Sequence, residues 1–348
     1  MKYLKIILIL LMPMAFSNCS KSSSNGNMSP APTDLTVSAA ISTDNSGNVT
    51  FTATATNAVS YDYDFGNGTF QTVPTGIITY KYPSSGTYTV NVIAKSSGGQ
   101  TIAKTVQVTV VSNGGPAGMT LVWSDEFNTD GAPDPSKWGY DTGTGGGGWG
   151  NNELEYYTSR SNNVNVSNGT LKITAVKENY NGSAYTSARM LSNGKFSFKY
   201  GRIEVSAKLP AGLGTWPAIW MLGNNFSTAG WPNCGEIDIM EQRGSELNKI
   251  FGTLHYPGHS GANGRGSTTI IQNSSAQFHL YALDWSAASI NFSIDGNVFF
   301  TVPNDNTLPF NQNFFVILNL AMGGSFGGSV DPNFTSGTME VDYVRVYQ

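Results

Sequence analysis

Three carboxylates lie close together in residues 231–241 (WPNCGEIDIME), where Glu236, Asp238 and Glu241 alternate with apolar residues. Alternation of this kind predicts a β-strand with its acids on one face. Like charges on one strand face repel, so a purely structural sheet rarely accepts them. A site that needs one ionised and one protonated carboxyl uses this repulsion to separate their pKa values. The segment therefore predicts chemistry carried out by paired carboxyl groups.

The spacing of the two glutamates contains one irregularity. Period two places Glu236 and Asp238 on one face, but Glu241, five residues after Glu236, falls on the opposite face. A β-bulge at residues 239–240 would return Glu241 to the shared face, and bulges are common beside active sites. The two backbones would then be about 13 Å apart, and inward-reaching side chains would leave the carboxyls about 5 Å apart. That separation matches retaining glycosidases, at roughly 5 to 5.5 Å, rather than inverting ones.

The string E-x-D-x-x-E resembles the signature of glycoside hydrolase family 16, in the bulged form of its laminarinase-like members. Five further stretches match in order: 123–127 (WSDEF), 148–158 (GWGNNELEYYT), 216–222 (WPAIWML), 319–324 (NLAMGG) and 341–347 (VDYVRVY). The resemblance covers essentially all of residues 119–348. It implies a β-jelly-roll that hydrolyses β-1,3-glucan internally, with Glu236 as nucleophile, Glu241 as general acid/base and Asp238 assisting.

The resemblance also implies the residues that bind substrate, each of which has a structural alternative. The aromatic candidates are Trp216, Trp220 and Trp231, and the polar candidates are Asn152, Arg189 and His255. Indole rings can stack on the apolar faces of sugars, although core packing is the commoner fate of a tryptophan. Arg189 could be an ordinary surface charge, and His255 could be a hydrogen-bonded core histidine.

No cofactor is expected for catalysis, but the resemblance implies one structural calcium ion away from the cleft. Its ligands would be Asp342, Glu126 and the carbonyl of Gly169. Oxygen donors suit this ion. The alternative for Asp342 is an ordinary exposed strand residue.

The elements that position these residues are predicted to be all-β. The chain has 348 residues, of which only 12% are charged, and it is rich in Gly, Tyr, Phe, Ser, Thr and Asn. Strand-like runs recur through residues 119–348, including 170–175 (TLKITA) and 201–207 (GRIEVSA), without long helical periods. They predict two packed antiparallel sheets, a concanavalin-like sandwich, for the catalytic domain.

A second, smaller β-sandwich is predicted over residues 33–112, where short alternating runs are separated by Gly, Asn and Ser. Residues 61–68 (YDYDFGNG) resemble the polycystic kidney disease (PKD) type of immunoglobulin-like module, whose usual WDFGDG is here YDFGNG. The module carries no titratable cluster that suggests catalysis, so it would be a spacer or a weak carbohydrate binder. A Gly/Pro-rich linker, 113–118, separates it from the catalytic domain at 119–348.

The N-terminus has the charged start and short apolar run of a signal peptide, residues 1–18. Cys19 lies where a lipoprotein signal places its lipidated cysteine, and 19–32 has the composition of a flexible linker. We expect an exported protein, either an outer-membrane lipoprotein held only by this anchor or a secreted form. The other cysteine is Cys234, so a lipidated chain would form no internal disulfide.

The charge of the chain favours a neutral ligand. A net charge of −4 and the lack of Lys/Arg blocks argue against nucleic acid as a partner. We expect a monomer acting on a β-glucan. The alternatives left open are a licheninase or another family 16 β-glucanase or galactanase, a transglycosylase, and a carbohydrate-binding protein without activity.

Overall fold

The computed structural model describes residues 29–42, 47–82, 86–110 and 119–348, which form two compact units divided between Val111 and Ser112. The predicted signal peptide, Cys19, most of the first linker and the whole 113–118 linker lie outside the described residues. Among the described residues, no helix has the length and apolar character needed to cross a membrane.

The described residues of the first unit form seven strands in two antiparallel sheets, ordered β1-β2-β5 and β4-β3-β6-β7. The strands are β1 (Thr33–Ile41), β2 (Asn48–Thr56), β3 (Ser60–Asp64), β4 (Phe70–Val73), β5 (Ile77–Lys81), β6 (Gly86–Lys95) and β7 (Thr101–Val110). Alternation decides which side chains enter the core, since β2 buries Val49, Phe51 and Ala53 and leaves the threonines between them more exposed. The predicted small β-sandwich is confirmed.

The second unit contains the other seventeen described strands. They are β8 (Leu121–Asp125), β9 (Gly139–Asp141), β10 (Glu155–Tyr157), β11 (Val164–Ser167), β12 (Thr170–Tyr180), β13 (Ser183–Ser187), β14 (Arg189–Leu191), β15 (Gly201–Lys208), β16 (Thr215–Gly223), β17 (Glu236–Glu241), β18 (Lys249–His255), β19 (Arg265–Ile270), β20 (His279–Trp285), β21 (Ser289–Ile294), β22 (Asn297–Pro303), β23 (Phe314–Met322) and β24 (Ser336–Tyr347). Two four-residue helices, α1 (Phe226–Ala229) and α2 (Gly324–Gly327), and a 3₁₀ turn at Gly261–Asn263 connect strands.

These strands form two sheets that enclose one core. The ten-stranded sheet has the order β10-β13-β12-β24-β15-β20-β21-β22, with β11 on β12 and β8 on β24. The seven-stranded sheet has the order β19-β18-β17-β16-β23-β14-β9. Ile237, Leu318 and Met221 from the seven-stranded sheet join Leu283 and Val344 from the ten-stranded sheet in a single apolar cluster. The predicted jelly-roll sandwich of two antiparallel sheets is confirmed, with one parallel pair, β10 and β13, as an exception.

Candidate active site

The three predicted acids lie on β17, inside the seven-stranded sheet between β16 and β18. The residues between the acids, Ile237 and the pair Ile239 and Met240, belong to the apolar core. Since side chains alternate across a strand, the acids face away from the ten-stranded sheet. The same strand therefore supplies apolar side chains to the core and carboxyls to the outer face.

The predicted bulge is present in the strand register. On β16, Trp220 pairs with Asp238 and the next residue, Ile219, pairs with Met240, so Ile239 has no opposite residue. On β18 the register also shifts between Asp238 and Glu241. Because Ile239 and Met240 are both buried in the core, Glu241 returns to the outer face.

Cross-strand register assembles the rest of the site from distant parts of the sequence. One row across the sheet runs from Asp141 on β9 through Arg189, Asn319 and Ala218 to Glu241. Directly opposite residues in neighbouring strands share a face. This row thus brings the predicted binding residue Arg189 onto the face that carries the acids.

Each catalytic carboxyl has a different set of partners. Trp231 Nε1 donates to Glu236 Oε2 at 3.1 Å, and Trp216 Nε1 donates to Glu241 Oε1 at 2.8 Å. His255 Nε2 lies 3.1 Å from Asp238 Oδ2 and 3.7 Å from Glu236 Oε1. Three of the six predicted binding residues therefore contact the acids directly.

Burial raises the pKa of all three acids. It is the largest cause in each case, and the pKa values rise to about 8 for Glu236, Asp238 and Glu241. The charge of Asp238 raises the pKa of both glutamates further, while His255 and Arg189 favour the ionised form of Glu236. The hydrogen bond from Trp216 favours the ionised form of Glu241, but Glu153 adds repulsion there. The cluster retains protons near neutral pH, as general acid catalysis requires.

Arg189 lies between two tryptophan rings. Its guanidinium carbon is 4.7 Å from the ring centroid of Trp220 and 4.6 Å from that of Trp149, and its Nε lies 3.1 Å from Asp141 Oδ2. Cation–π contact and an ion pair fix the orientation of a long side chain. Arg189 is not a free surface charge, and Trp220 belongs to the same wall of the site.

A hydrogen-bond relay that sequence reasoning missed holds Trp220. Trp220 Nε1 donates to Asn319 Oδ1 at 2.7 Å, and Asn319 Nδ2 donates to the Tyr157 hydroxyl at 3.0 Å. That hydroxyl donates to Glu153 Oε2 at 3.1 Å, and Asn151 donates to the other oxygen of Glu153 at 3.1 Å. The partners in this relay all lie in the stretches 148–158 and 319–324 that match the family: Asn151, Glu153, Tyr157 and Asn319. These matched stretches were the one signal in the sequence that pointed to the relay.

Asn152 lies on a glycine-rich loop beside this relay. It is exposed and has a left-handed backbone with φ of 58°. Gly148 also has a positive φ, and a Cβ at that position would meet the backbone of Asn152 at 2.8 Å. The loop therefore depends on glycine at 148 to present Asn152 at this end of the seven-stranded sheet.

The predicted calcium ligands fit the ion only in part. Arg345 donates to both carboxylate oxygens of Glu126, at 2.9 and 2.7 Å, so the Glu126 side chain is held in an ion pair in this arrangement. Asp342 keeps a half-buried carboxyl whose pKa is raised by burial, with Ser206 at 3.5 Å. Gly169 forms the left-handed turn before β12, with φ of 72°. Calcium binding at Asp342, Glu126 and Gly169 stays a prediction.

Outward-facing acids on a bulged strand, flanked by tryptophans on an antiparallel sandwich, define a carbohydrate-cleaving enzyme of the jelly-roll class. Residues 151–345 match the family described as glycosyl hydrolases family 16, and residues 34–110 match the PKD domain. The chain belongs to glycoside hydrolase family 16, and a PKD domain precedes the catalytic domain in the sequence.

Similar proteins carry glucanase names. A beta-glucanase of Rhodothermus marinus is 44% identical over 244 residues, covering 66% of this chain and 85% of that protein. The catalytic domain of an endo-1,3-beta-glucanase (laminarinase) from Thermotoga petrophila RKU-1 superposes with a TM-score of 0.62 at 42% identity, covering 66% of this chain and 98% of its own. A Zobellia galactanivorans structure in complex with laminaritriose and laminaritetraose gives a TM-score of 0.62 at 44% identity, covering 66% and 99%.

Proposed function

We propose that this protein is a retaining endo-β-1,3-glucanase that cleaves laminarin-like glucan by double displacement. The observation that carries the proposal is the bulged strand β17, which places Glu236, Asp238 and Glu241 on one face with different partners. The laminarinase name of the Thermotoga petrophila structure and the laminaritriose and laminaritetraose complex of the Zobellia galactanivorans structure support β-1,3-glucan as the substrate.

Glu236 is assigned as the nucleophile because it is the first glutamate of the E-x-D-x-x-E pattern, the position for which the family resemblance implies this role. It accepts a hydrogen bond from Trp231, and both His255 and Arg189 favour its ionised form. In the first step its carboxylate attacks the anomeric carbon, and the glycosidic C–O bond breaks as a glycosyl-enzyme ester forms.

Glu241 is assigned as the acid/base because it is the last glutamate of the same pattern, and burial, Asp238 and Glu153 favour the protonated form that this role needs. It donates its proton to the departing glycosidic oxygen in the first step. In the second step it takes a proton from water, which attacks the anomeric carbon and releases Glu236. Two inversions at one carbon return the β-anomer.

Asp238 is assigned a positioning role between the two glutamates. It is 4% exposed, and its carboxyl lies 3.1 Å from His255 Nε2. Its charge raises the pKa of both neighbours. It thereby helps the cluster to keep the one proton that Glu241 must deliver.

The wall formed by Trp220 and Arg189, together with Asn152, is proposed to bind the sugars. Indole faces suit the C–H faces of glucose, and the guanidinium supplies hydrogen-bond donors to hydroxyl groups. Trp231 is 51% exposed, so its ring is accessible to a sugar while its N–H holds Glu236.

The experiment that tests the proposal compares the parent with Glu236→Gln and Glu241→Gln on laminarin, lichenan and agarose. Proton NMR would follow the anomer released, and gel filtration would follow polymer length. Glu246→Gln is a matched control, because Glu246 pairs with Lys249 on the surface, outside the acid cluster. We expect early β-anomer and a rapid fall in laminarin length with the parent and the control only.

Each of the other outcomes would change the proposed substrate, mechanism or class of function. Cleavage of lichenan alone would make the protein a licheninase, and cleavage of agarose alone would make it a galactanase. Early α-anomer would contradict the retaining mechanism. Binding of laminarin without cleavage by the parent would favour a carbohydrate-binding protein.

We further propose that the protein is exported and anchored through a lipid on Cys19, with the PKD domain as a spacer. The signal-like N-terminus supports this. Metabolic labelling with a fatty acid should mark the parent but not Cys19→Ser. Equal labelling of both would contradict the anchor. A monomer with one structural calcium completes the proposal, and EDTA should then lower the melting temperature without changing the oligomeric state.

A further inference from the structure

Three metal-binding atoms converge at the outer face of β17. Glu236, Asp238 and His255 each offer one ligand atom, and these atoms lie within 4.8 Å of one another. His255 Nε2 is 3.1 Å from Asp238 Oδ2 and 3.7 Å from Glu236 Oε1. Among the described residues this is the one group of three or more His, Cys, Asp or Glu with such spacing.

The two separations from His255 suit a small tetrahedral ion. Zinc binds imidazole nitrogen and carboxylate oxygen at about 2.0 to 2.2 Å, so two ligands of a tetrahedral ion are about 3.3 Å apart. The distances of 3.1 and 3.7 Å lie on either side of this value.

The carboxylate oxygens are arranged to accept a cation. Asp238 is 4% exposed, and its Oδ2 has no hydrogen-bond partner among the described residues, although it lies beside the imidazole. Trp231 holds Oε2 of Glu236 and leaves Oε1 directed at His255. A buried carboxylate is costly unless its charge is paired, and a metal ion would pair it.

We propose that Glu236, Asp238 and His255 form a site for a divalent transition-metal ion of the zinc type, which blocks glucan cleavage when it is occupied. A nitrogen ligand and a set of three protein ligands favour zinc over calcium or magnesium, which prefer six or more oxygens. A Glu236 carboxylate bound to a metal cannot attack the anomeric carbon. The consequence for activity rests on the proposed function, but metal binding itself does not.

The surroundings of His255 indicate a reversible site rather than a resident ion. Its Nδ1 is buried without a hydrogen-bond partner in the described part of the chain. Metal-binding histidines usually donate from this second nitrogen, and loss of such a partner typically weakens affinity by about 10- to 100-fold. We therefore expect zinc to bind about 10- to 100-fold more weakly than at a site whose histidine has such a partner.

The test is isothermal titration of Zn²⁺ into the purified protein, without a polyhistidine tag and in chelator-treated buffer. We expect one ion per chain, competition with laminaritetraose, and no comparable heat from Ca²⁺ or Mg²⁺. His255→Asn should weaken zinc binding at least 10-fold, whereas His259→Asn, in an exposed turn, should bind as the parent does. Co²⁺ should give the intense visible absorption of a tetrahedral site.

A second variant keeps all three ligands but moves the imidazole. A Cβ at Gly264 would lie 2.5 Å from Cε1 of His255, so Gly264→Ala should displace the ring and weaken zinc binding. Equal zinc affinity in the parent and His255→Asn, or unchanged laminarin cleavage at saturating zinc by a parent that is active without it, would overturn the proposal. Laminarin left uncut by the metal-free parent would instead count against the proposed function, since zinc titration does not depend on turnover.

Discussion

Replacing Glu241 by Gln should stabilise the protein while it removes the acid/base. Burial first, and then Asp238, raise the pKa of Glu241 from 4.5 to about 8 in the folded state. A folded carboxyl with a raised pKa holds a proton that the unfolded chain releases. Its contribution to stability is therefore fully present below about pH 4.5 and is lost as the pH rises through about 8. Glutamine has nearly the same shape and carries no charge, so the variant avoids this loss.

The size of the gain follows from the shift. One proton is worth about 1.4 kcal/mol per pH unit, so an isolated group would lose about 4 kcal/mol of stability between pH 4.5 and 7.5. Glu241 is not isolated, because its repulsion is shared with the two other acids and because Trp216 stabilises its charge with a hydrogen bond. Both effects reduce the gain. We expect about half of that figure, about 2 kcal/mol, which corresponds to about 4 to 8 °C in melting temperature for a domain of this size.

The assay is thermal unfolding of the parent and Glu241→Gln at pH 4.5, 6 and 8. The difference in melting temperature between Glu241→Gln and the parent should be near zero at pH 4.5 and should grow as the pH rises. The control, Glu246→Gln, should show the opposite sign, because Lys249 and Arg243 lower the pKa of Glu246 and its ionised form stabilises the fold. A gain of equal size at all three pH values would refute the reasoning, since it would reflect packing rather than protonation.

Three further predictions concern the reaction itself. The kcat/KM on laminarin should fall as the pH rises through about 8, where Glu241 loses its proton, and this limb should vanish for an aryl glucoside whose leaving group needs no proton. Asn319→Ala removes the acceptor of the Trp220 N–H, so KM should rise about 5- to 30-fold with a smaller change in kcat; an unchanged KM would exclude this relay from binding. Trp231→Phe keeps an aromatic ring but removes the N–H that holds Glu236, so kcat should fall about 10-fold and the acid limb of the pH profile should move upward; a change confined to KM would contradict this.

The catalytic strand could be predicted from local sequence because its information is local. Alternation identified Glu236 and Asp238 as neighbours on one face, and the five-residue spacing to Glu241 required one extra residue. The register confirms a bulge at that place. The two-sheet fold was predictable for the same reason, since alternating apolar residues indicate which face of each strand is buried.

The partners of Arg189 and Glu126 could not be predicted, because they depend on pairing between distant strands. Asp141 reaches Arg189 only because β9 and β14 are neighbours in the sheet. Arg345 reaches Glu126 only because β24 pairs with β8, where Arg345 lies opposite Ser124. Neither register has a signature in a single sequence, so Glu126 was predicted as a metal ligand and is found in an ion pair.

The acid cluster persists because the strand that carries it is also anchored in the core. Between the acids, β17 buries Ile237, Ile239 and Met240 almost completely. Each such side chain contributes about 1.5 to 3 kcal/mol by leaving water, which offsets the cost of the crowded carboxyls. The bulge couples the two effects, because the extra apolar residue that enters the core is also what turns Glu241 outward. A smaller residue in place of Ile239 should therefore lower both activity and stability. Glu241→Gln should instead abolish activity while it raises stability.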